Sequence, residues 1–241
     1  MRRSAVTHAA GLAAVLALKL FQHGAGADDL AFLLAPACAL ASLATGYVFV
    51  HEAGAGWVSH AHRFIAGPSC AGMTFLIAGF AAFYFPFVAR FETWRSRAGW
   101  LLASLAAAFA VALPANALRI ALAVRLYEMD ALYGAVVTPL RVHRAMGCAV
   151  YLTALLLSFL ALERAFRRAP SSPLVPLGWY LAIVLGIPVA RGAFRRHGEA
   201  FAEHAIFVGA VCLVLAAVPL LARRVVLGSG PCEAEDPRRG R

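Results

Sequence analysis

The stretch that decides the fold is residues 99–125, GWLLASLAAAFAVALPANALRIALAVR. This apolar run is longer than the about 20 residues that a helix needs to cross the hydrocarbon core of a bilayer. It shows none of the polar–apolar alternation of a membrane β-strand. Because a helix satisfies its own backbone hydrogen bonds in lipid, the run predicts a membrane-spanning helix with Pro114 inside it.

The rest of the chain repeats this pattern. Of the 241 residues 62% are hydrophobic and only 14% are charged, which excludes an ordinary soluble domain. We therefore predict an all-α, polytopic membrane helical bundle with about seven spans, within a range of six to eight. The predicted spans are 5–22, 30–50, 70–89, 99–125, 145–162, 174–190 and 205–222. They form one domain, residues 1–227, followed by a polar tail, 228–241, that we expect to be disordered and cytoplasmic.

The positive charge indicates orientation in a membrane and not nucleic-acid binding. The net charge is +10, but the arginines lie in short clusters between apolar runs. Residues 90–98 and 163–170 and the segment after residue 222 carry most of this charge, and such loops face the cytoplasm. We therefore expect a multi-pass protein of the cell membrane, the inner membrane of a bacterium.

The orientation of the first third is harder to predict. If the basic start, MRR, is cytoplasmic, two spans by residue 50 return the chain to the inside, whereas the charge pattern places Cys70 outside. Either the N-terminus faces out, or residues 51–67, HEAGAGWVSHAHRFIAG, re-enter or cross as a poor helix. We favour the arrangement with the N-terminus outside.

Three polar residues at the ends of apolar runs are the candidate catalytic set: Cys70, Arg119 and His143. The predicted topology places all three at the extracytoplasmic interface. A thiol, a guanidinium and an imidazole can serve as nucleophile, oxyanion stabiliser and proton carrier. Arg119 is flanked by apolar residues, so we expect it to face the bundle interior.

The neighbours of these residues are the predicted supporting set, Ser69, Gly72 and Asn116. Pro68 and Ser69 suit a helix start, so we expect Cys70 in the first turn of a helix, where free N–H groups favour a thiolate and can receive an oxyanion. Asn116 lies three residues before Arg119 on the same face. We expect it to bond backbone freed by Pro114, or to orient Arg119.

Other polar residues indicate packing more than chemistry. Cys38, Cys148 and Cys212 lie inside apolar runs, where free cysteine usually acts as a small hydrophobe. The histidine clusters at 51–62 and 197–204 contain metal-ligand residue types, but neither has the H-E-x-x-H spacing. We therefore predict neither a metal site nor a cofactor.

Three motifs in order, SCAGMTFL, PANALRI and a later histidine near a helix start, resemble the exosortase/archaeosortase family of membrane transpeptidases, most closely the compact exosortase K type. The resemblance covers roughly residues 65–165. It implies that Cys70 is the nucleophile, Arg119 the transition-state stabiliser and His143 the general acid/base. Ala71 stands where a small polar residue is frequent in the family.

The resemblance also implies the partners. These are C-terminal sorting signals of exported proteins, each made of a PEP-CTERM-like motif, a transmembrane helix and a basic tail, together with membrane lipid and an amine-bearing surface acceptor. No nucleic acid is expected.

Two other functions fit the same composition. Intramembrane arginines with proline and glycine interruptions also occur in small transporters and lipid-handling proteins without covalent catalysis. Such a protein would depend on its arginines and tolerate Cys70→Ser, whereas an enzyme would lose activity. A structural assembly partner would depend on none of the three residues individually.

Overall fold

The structure is a computed structural model that describes residues 2–129, 138–166, 172 and 174–228. Within these residues the chain is mostly helical. The helices are α1 (Arg2–Gly24), α2 (Ala31–Thr45), α3 (Met73–Tyr84), α4 (Trp94–Tyr127), α5 (Pro139–Ala165), α6 (Leu174–Leu181), α7 (Ile187–Ala190) and α8 (Ala193–Gly228). A π-helical turn, Ala182–Gly186, joins α6 to α7. The predicted tail beyond residue 228 lies outside the described residues.

In the part of the chain that the structure describes, four helical segments are long and apolar enough to cross a membrane: Ala5–Gly24, Pro68–Arg90, Trp94–Tyr127 and Arg141–Ala165. Three further apolar helices, Ala31–Thr45, Leu174–Ala190 and Phe201–Ala217, are shorter. The helical, membrane-compatible architecture agrees with the sequence prediction. The count of seven spans is not confirmed.

Helix α3 occupies the centre of the bundle. It is hydrophobic on all sides, and Phe75, Phe80, Phe83 and Tyr84 are almost completely buried. A helix with apolar residues all round has to be surrounded by others. Helices α1, α4, α5 and α6 pack around it, so the turn that precedes α3 lies at one end of the core.

Local signals define the two helices that carry the other site residues. The Thr93 side chain caps α4 by accepting from Ser96 N–H at 3.1 Å. Thr138 caps α5 in the same way, and Pro139 occupies the first helical position, where its missing N–H costs nothing. The predicted start of this helix at residue 145 is therefore wrong. His143 lies inside the helix, one turn from its beginning.

The segment 51–67 is neither a re-entrant loop nor a poor helix. It belongs to a three-stranded antiparallel sheet of β1 (Val50–Glu52), β2 (Gly56–Ser59) and β3 (Phe64–Ala66). The hairpin requires glycine at position 56, because φ is +111° and an added Cβ would lie 2.6 Å from Ala66 O. The all-α prediction is corrected to a helical bundle with one small sheet.

The direction of α1 relates the N-terminal third to the loop of residues 90–98. Thr7 lies beside Arg97, whose Nη1 donates to Thr7 Oγ1 at 3.1 Å. At the other end of α1, Gln22 Nε2 donates to Thr74 Oγ1 at 2.8 Å, next to the start of α3. The start of α1 and residues 90–98 are therefore at the same end of the bundle. The N-out arrangement is therefore incompatible with the prediction that residues 90–98 are cytoplasmic: if that loop faces the cytoplasm, the start of α1 does so too.

Helix α2 does not bring the chain back to that end. Phe32 at its start stacks on Phe109 in the middle of α4, at 6.3 Å between ring centroids. Just beyond its end, the Tyr47 hydroxyl lies 3.5 Å from Glu128, directly after α4. Helix α2 therefore runs beside the second half of α4. With 15 residues it is about 22 Å long, shorter than the about 30 Å of a hydrocarbon core.

The loop between α1 and α2 is held against the sheet by Asp28. Its carboxylate accepts from His51 Nε2 at 2.9 Å and from Gly54 N–H at 3.0 Å. Two hydrogen bonds hold the pKa of Asp28 below its usual value. The bond from His51 has the larger effect, and the bond from Gly54 N–H has the smaller one.

We expect Asp28→Asn to loosen this contact without changing the bundle. A carboxyl whose pKa is lowered on folding stabilises the fold above its ordinary pKa, and the effect is lost as the pH falls through the lowered value. In hydrogen-exchange mass spectrometry the peptide containing Gly54 should exchange faster in the variant at pH 7. As the pH falls below the normal pKa range of a carboxyl, the difference in exchange of this peptide between the wild type and the variant should disappear. Equal exchange at pH 7 would contradict the assigned contact. His60→Gln, which removes the neighbouring His60–Glu52 pair, is the control.

Candidate active site

Cys70 lies in a tight turn between the sheet and α3. Residues Pro68–Cys70 form a 3-10 turn in which Cys70 N–H donates to Gly67 O at 2.8 Å and Ala71 N–H donates to Pro68 O at 3.2 Å. The side chain is buried, with 5% of the residue exposed. Cys70 thus lies in the first turn of a helix, as expected, but this turn is a short 3-10 helix that is separate from α3. These two N–H groups are already bonded and cannot receive an oxyanion.

Gly72 separates this turn from α3. Its φ is +74°, and α3 begins with the next residue. A Cβ at this position would lie 3.0 Å from the Tyr151 hydroxyl and 3.2 Å from Asn116 Cγ. Both the backbone conformation and the close approach of α4 and α5 therefore require glycine here.

Arg119 joins the Cys70 turn to α5. Its Nη1 donates to Ser69 O at 3.4 Å and to the Tyr151 hydroxyl at 3.3 Å, and its Nη2 lies 2.7 Å from His143 Nε2. The guanidinium carbon lies 5.4 Å from the centre of the Tyr151 ring. Arg119 is only 8% exposed, which confirms that it faces the bundle interior.

The contact with Arg119 fixes the tautomer of His143. Arginine has only donors, so Nε2 of His143 must accept, and the neutral ring then carries its proton on Nδ1. Nδ1 is buried and has no hydrogen-bond partner among the described residues. In this arrangement His143 can deliver a proton from Nδ1. It can accept one at Nε2 only after the Arg119 contact opens.

Gly147 provides the space for Arg119. It lies one helical turn after His143, and a Cβ there would be 2.9 Å from Arg119 Nε. Any larger side chain would push the guanidinium away from the Cys70 turn. Residues 143, 147 and 151 are spaced by four, so His143, Gly147 and Tyr151 form one face of α5.

Tyr151 is the site residue that the sequence analysis missed. Its hydroxyl donates to Asn116 Oδ1 at 2.7 Å, and its ring stacks on Phe75 at 4.5 Å. The spacing of four from His143 was the available signal, but a tyrosine in an apolar run is ordinary. Asn116 contacts Arg119 only through Tyr151, and its Nδ2 has no partner among the described residues. The expected bond from Asn116 to backbone freed by Pro114 is therefore not made by this amide nitrogen.

A cavity of about 290 Å³ opens beside this cluster. Ser69, Gly72, Arg119, His143 and Tyr151 are among its lining residues. Cys70 and Asn116 are not. Both lie against the turn of residues 69–72 that forms one wall, since Asn116 packs on Gly72 and Cys70 belongs to the turn.

A larger cavity, about 800 Å³, lies at the opposite end of the bundle. Thr7, Tyr84, Glu92 and Arg97 contribute polar groups to it, but its lining includes neither a cysteine nor a histidine. Arg119 and His143 line the smaller cavity, and the turn that holds Cys70 forms one of its walls, so this cavity is the candidate active site.

The remaining polar clusters form pairs. His51 contacts Asp28, His60 contacts Glu52, and His62 contacts Glu128. Within the described parts of the chain there is no group of three or more residues that could hold a metal ion. Glu203 of the second cluster forms ion pairs with Arg141 and Arg144 at the rim of the cavity.

No protein-family profile, curated protein sequence or solved structure matches this chain. What the site can do therefore has to be argued from its own geometry. A buried guanidinium that contacts both the backbone of the Cys70 turn and an imidazole is an arrangement suited to acyl transfer.

Proposed function

We propose that this protein is a membrane-embedded cysteine transpeptidase that cleaves exported proteins at a C-terminal sorting signal. The observation that supports it most is the position of Arg119, which contacts the backbone next to Cys70 on one side and His143 on the other. Arg119 thus links the backbone beside Cys70 to His143, which follows Cys70 by 73 positions in the sequence. A structural role alone gives no reason to place a cysteine and a histidine there.

The first step forms a thioester. When the substrate enters, Arg119 Nη2 turns away from His143, and His143 Nε2 takes the proton of the Cys70 thiol. The sulfur then attacks the scissile carbonyl carbon while the C=O π electrons move to oxygen. The resulting oxyanion takes hydrogen bonds from Arg119. Collapse restores the C=O bond and breaks the C–N bond. The leaving amine takes the proton of His143 Nδ1–H, which leaves the ring neutral with its proton on Nε2.

The second step returns the enzyme to its starting state. An amine of a surface acceptor, or water, attacks the thioester carbon and gives up a proton as the C–S bond breaks. The sulfur leaves as a thiolate, which regains its proton through His143. Transfer to an amine makes a new amide, and transfer to water gives hydrolysis.

The direction of the helices supports an extracytoplasmic site. With residues 90–98 in the cytoplasm, α4 carries Arg119 to the outer interface and α5 carries His143 back from it. With 34 residues, α4 is about 51 Å long and extends past a hydrocarbon core of about 30 Å. The sheet and α2 then cover the outer end of the bundle. A substrate helix lying beside the bundle in the lipid would present its adjoining segment at this depth.

Trapping the acyl-enzyme tests the proposal. The purified protein in lipid nanodiscs is mixed with a synthetic substrate made of a short extracellular segment, a transmembrane helix and an arginine-rich tail, then quenched in acid. We expect an adduct of the N-terminal fragment on Cys70, seen by intact mass and peptide mapping and released by hydroxylamine. Cleavage without an adduct on any cysteine, or an adduct on a different cysteine, would overturn the assignment.

A further inference from the structure

A groove runs along the bundle between α1 and α6. Both helices pack on α3, but within the described residues they have little contact with each other. Helix α3 therefore forms the floor of the groove, and α1 and α6 form its walls. At one end the aromatic rings show this arrangement directly. Phe85, which follows α3, stacks on His8 of α1 at 6.2 Å and on Trp179 of α6 at 4.5 Å.

Two cavities lie at the ends of this groove. The first, of about 540 Å³, is lined by residues from both walls and the floor, among them His8, Phe85 and Val175. The second is the candidate active-site cavity, to which α1 contributes Gln22 and α6 contributes Tyr180. From His8 to Gln22, α1 extends about 21 Å, which is most of a hydrocarbon core of about 30 Å. The groove therefore connects the membrane interior to the site.

The lining changes from apolar to polar along the groove. At the end away from the site it consists mostly of apolar and aromatic side chains, and Leu12 there is 54% exposed. At the end next to the site it contains Gln22 and Thr74, which are joined by a hydrogen bond of 2.8 Å, together with Arg119 and His143. A ligand that fits the whole groove needs a long apolar part joined directly to a polar part.

A groove on the opposite side of α1 does not offer this combination. Its cavity, of about 400 Å³, is lined by Leu18, Phe32 and Leu102 among others, and no polar residue of the described chain lines it. It shares Met73 with the candidate active site. Phe32, at the start of α2, stacks on Phe109 of α4. Helix α2 therefore covers the continuation of this second groove towards the outer end of the bundle.

We propose that the transmembrane helix of the substrate binds in the groove between α1 and α6, with its adjoining polar segment in the candidate active-site cavity. The substrate of the proposed reaction joins an apolar helix to a polar segment at the cut site, and the groove shows the same change of polarity. Ala9, a small residue in the wall, lets the backbone of such a helix approach closely. This inference rests on the proposed function and specifies the surface that selects its substrates.

Site-specific photocrosslinking tests where the substrate helix lies. Benzoylphenylalanine replaces Leu12 in the groove, Leu102 in the opposite groove or Leu157 on α5, each in Cys70→Ala protein so that the substrate stays intact. The three leucines are similarly exposed, at 54%, 66% and 61%. The proteins are irradiated in nanodiscs with the synthetic substrate used for trapping. We expect adducts on the apolar helix of the substrate from position 12, and only the background without substrate from positions 102 and 157.

Filling the groove provides a kinetic test. Ala9→Trp, in otherwise unchanged protein, puts a large ring into the wall of the groove. We expect KM for the synthetic substrate to rise about tenfold, as for a poor fit in an apolar pocket, with little change in kcat, because the reacting groups are untouched. Leu157→Trp is the control, since Leu157 is exposed on α5 and lines neither cavity of the groove. It should leave both constants unchanged.

The outcomes are distinct. Substrate adducts mainly from position 102 or 157, with a wild type that still forms the acyl-enzyme on Cys70, would overturn this inference and leave the proposed function intact. Crosslinks from position 12 to lipid alone, or to a second copy of this chain, would do the same, as would an unchanged KM in Ala9→Trp. Cleavage that continues in Cys70→Ala would remove the proposed function and this inference with it.

Discussion

Replacing Cys70 by alanine should abolish cleavage of a matched sorting-signal substrate. The thioester cannot form without the sulfur, and removal of a covalent nucleophile typically lowers kcat by at least about 10⁴-fold. Cys70→Ser should be nearly as inactive, because a serine hydroxyl is far less acidic than a cysteine thiol and a weaker nucleophile. The measurement is appearance of the two substrate fragments on gels and by mass spectrometry, in nanodiscs and in cells that export the substrate.

Cys148→Ala is the matched control. Cys148 is also buried, at 4% exposure, and it lines the candidate active-site cavity. It lies on α5, however, and not in the turn that contains Cys70. Its variant should cleave at close to the normal rate. Normal cleavage by Cys70→Ala, or an equal loss in the two variants, would contradict a nucleophilic role for Cys70. The first of these results would instead favour a transporter or another function without covalent chemistry.

The second large effect is expected for Arg119→Lys. A lysine keeps the positive charge but has no planar fork, so it cannot reach Ser69 O, Tyr151 and His143 together. We expect kcat/KM to fall by about 10²–10³-fold, as for the loss of an oxyanion donor. Arg119→Ala should lower kcat/KM further, because it also leaves the buried hydrogen-bond partners of Arg119 without a donor.

Arg125→Lys provides the comparison for this variant. Arg125 lies on the same helix, about two turns later, with its guanidinium carbon 5.1 Å from the centre of the Tyr47 ring. We expect that exchange to leave cleavage almost unchanged. Activity of Arg119→Lys within a few fold of the wild type would mean that the charge suffices and that the three simultaneous contacts are not required. Thermal unfolding in detergent would separate loss of activity from loss of the fold.

The sequence predicted the parts of this site that depend on hydropathy. Apolar runs locate the helices, and the positive clusters place Cys70, Arg119 and His143 at one depth, where the structure also brings Arg119 into contact with His143. The asparagine three residues before Arg119 also belongs to the cluster, although through Tyr151 and not directly.

The parts that the sequence did not predict depend on tertiary contacts. Strands β1–β3 have only three or four residues each, too few to show a period of two. Gly67-Pro68-Ser69 also suits a helix start, and only packing of Gly72 against Asn116 and Tyr151 determines that the helix begins at Met73. The direction of α2 is set by Phe32 and Tyr47, whose partners lie far away in the sequence.

The parallel course of α1 and α2 determines how the protein has to be made. If residues 90–98 stay in the cytoplasm, α1 is the one crossing before Cys70 among the described residues, and residues 25–72 lie together on the far side of the membrane. Translocation of this segment, which carries α2, the sheet and the candidate nucleophile, would then depend on the orientation that α1 takes. Added positive charge just after residue 24 would oppose that translocation. The completed protein would then hold its thiol in the wrong compartment, with every site residue unchanged.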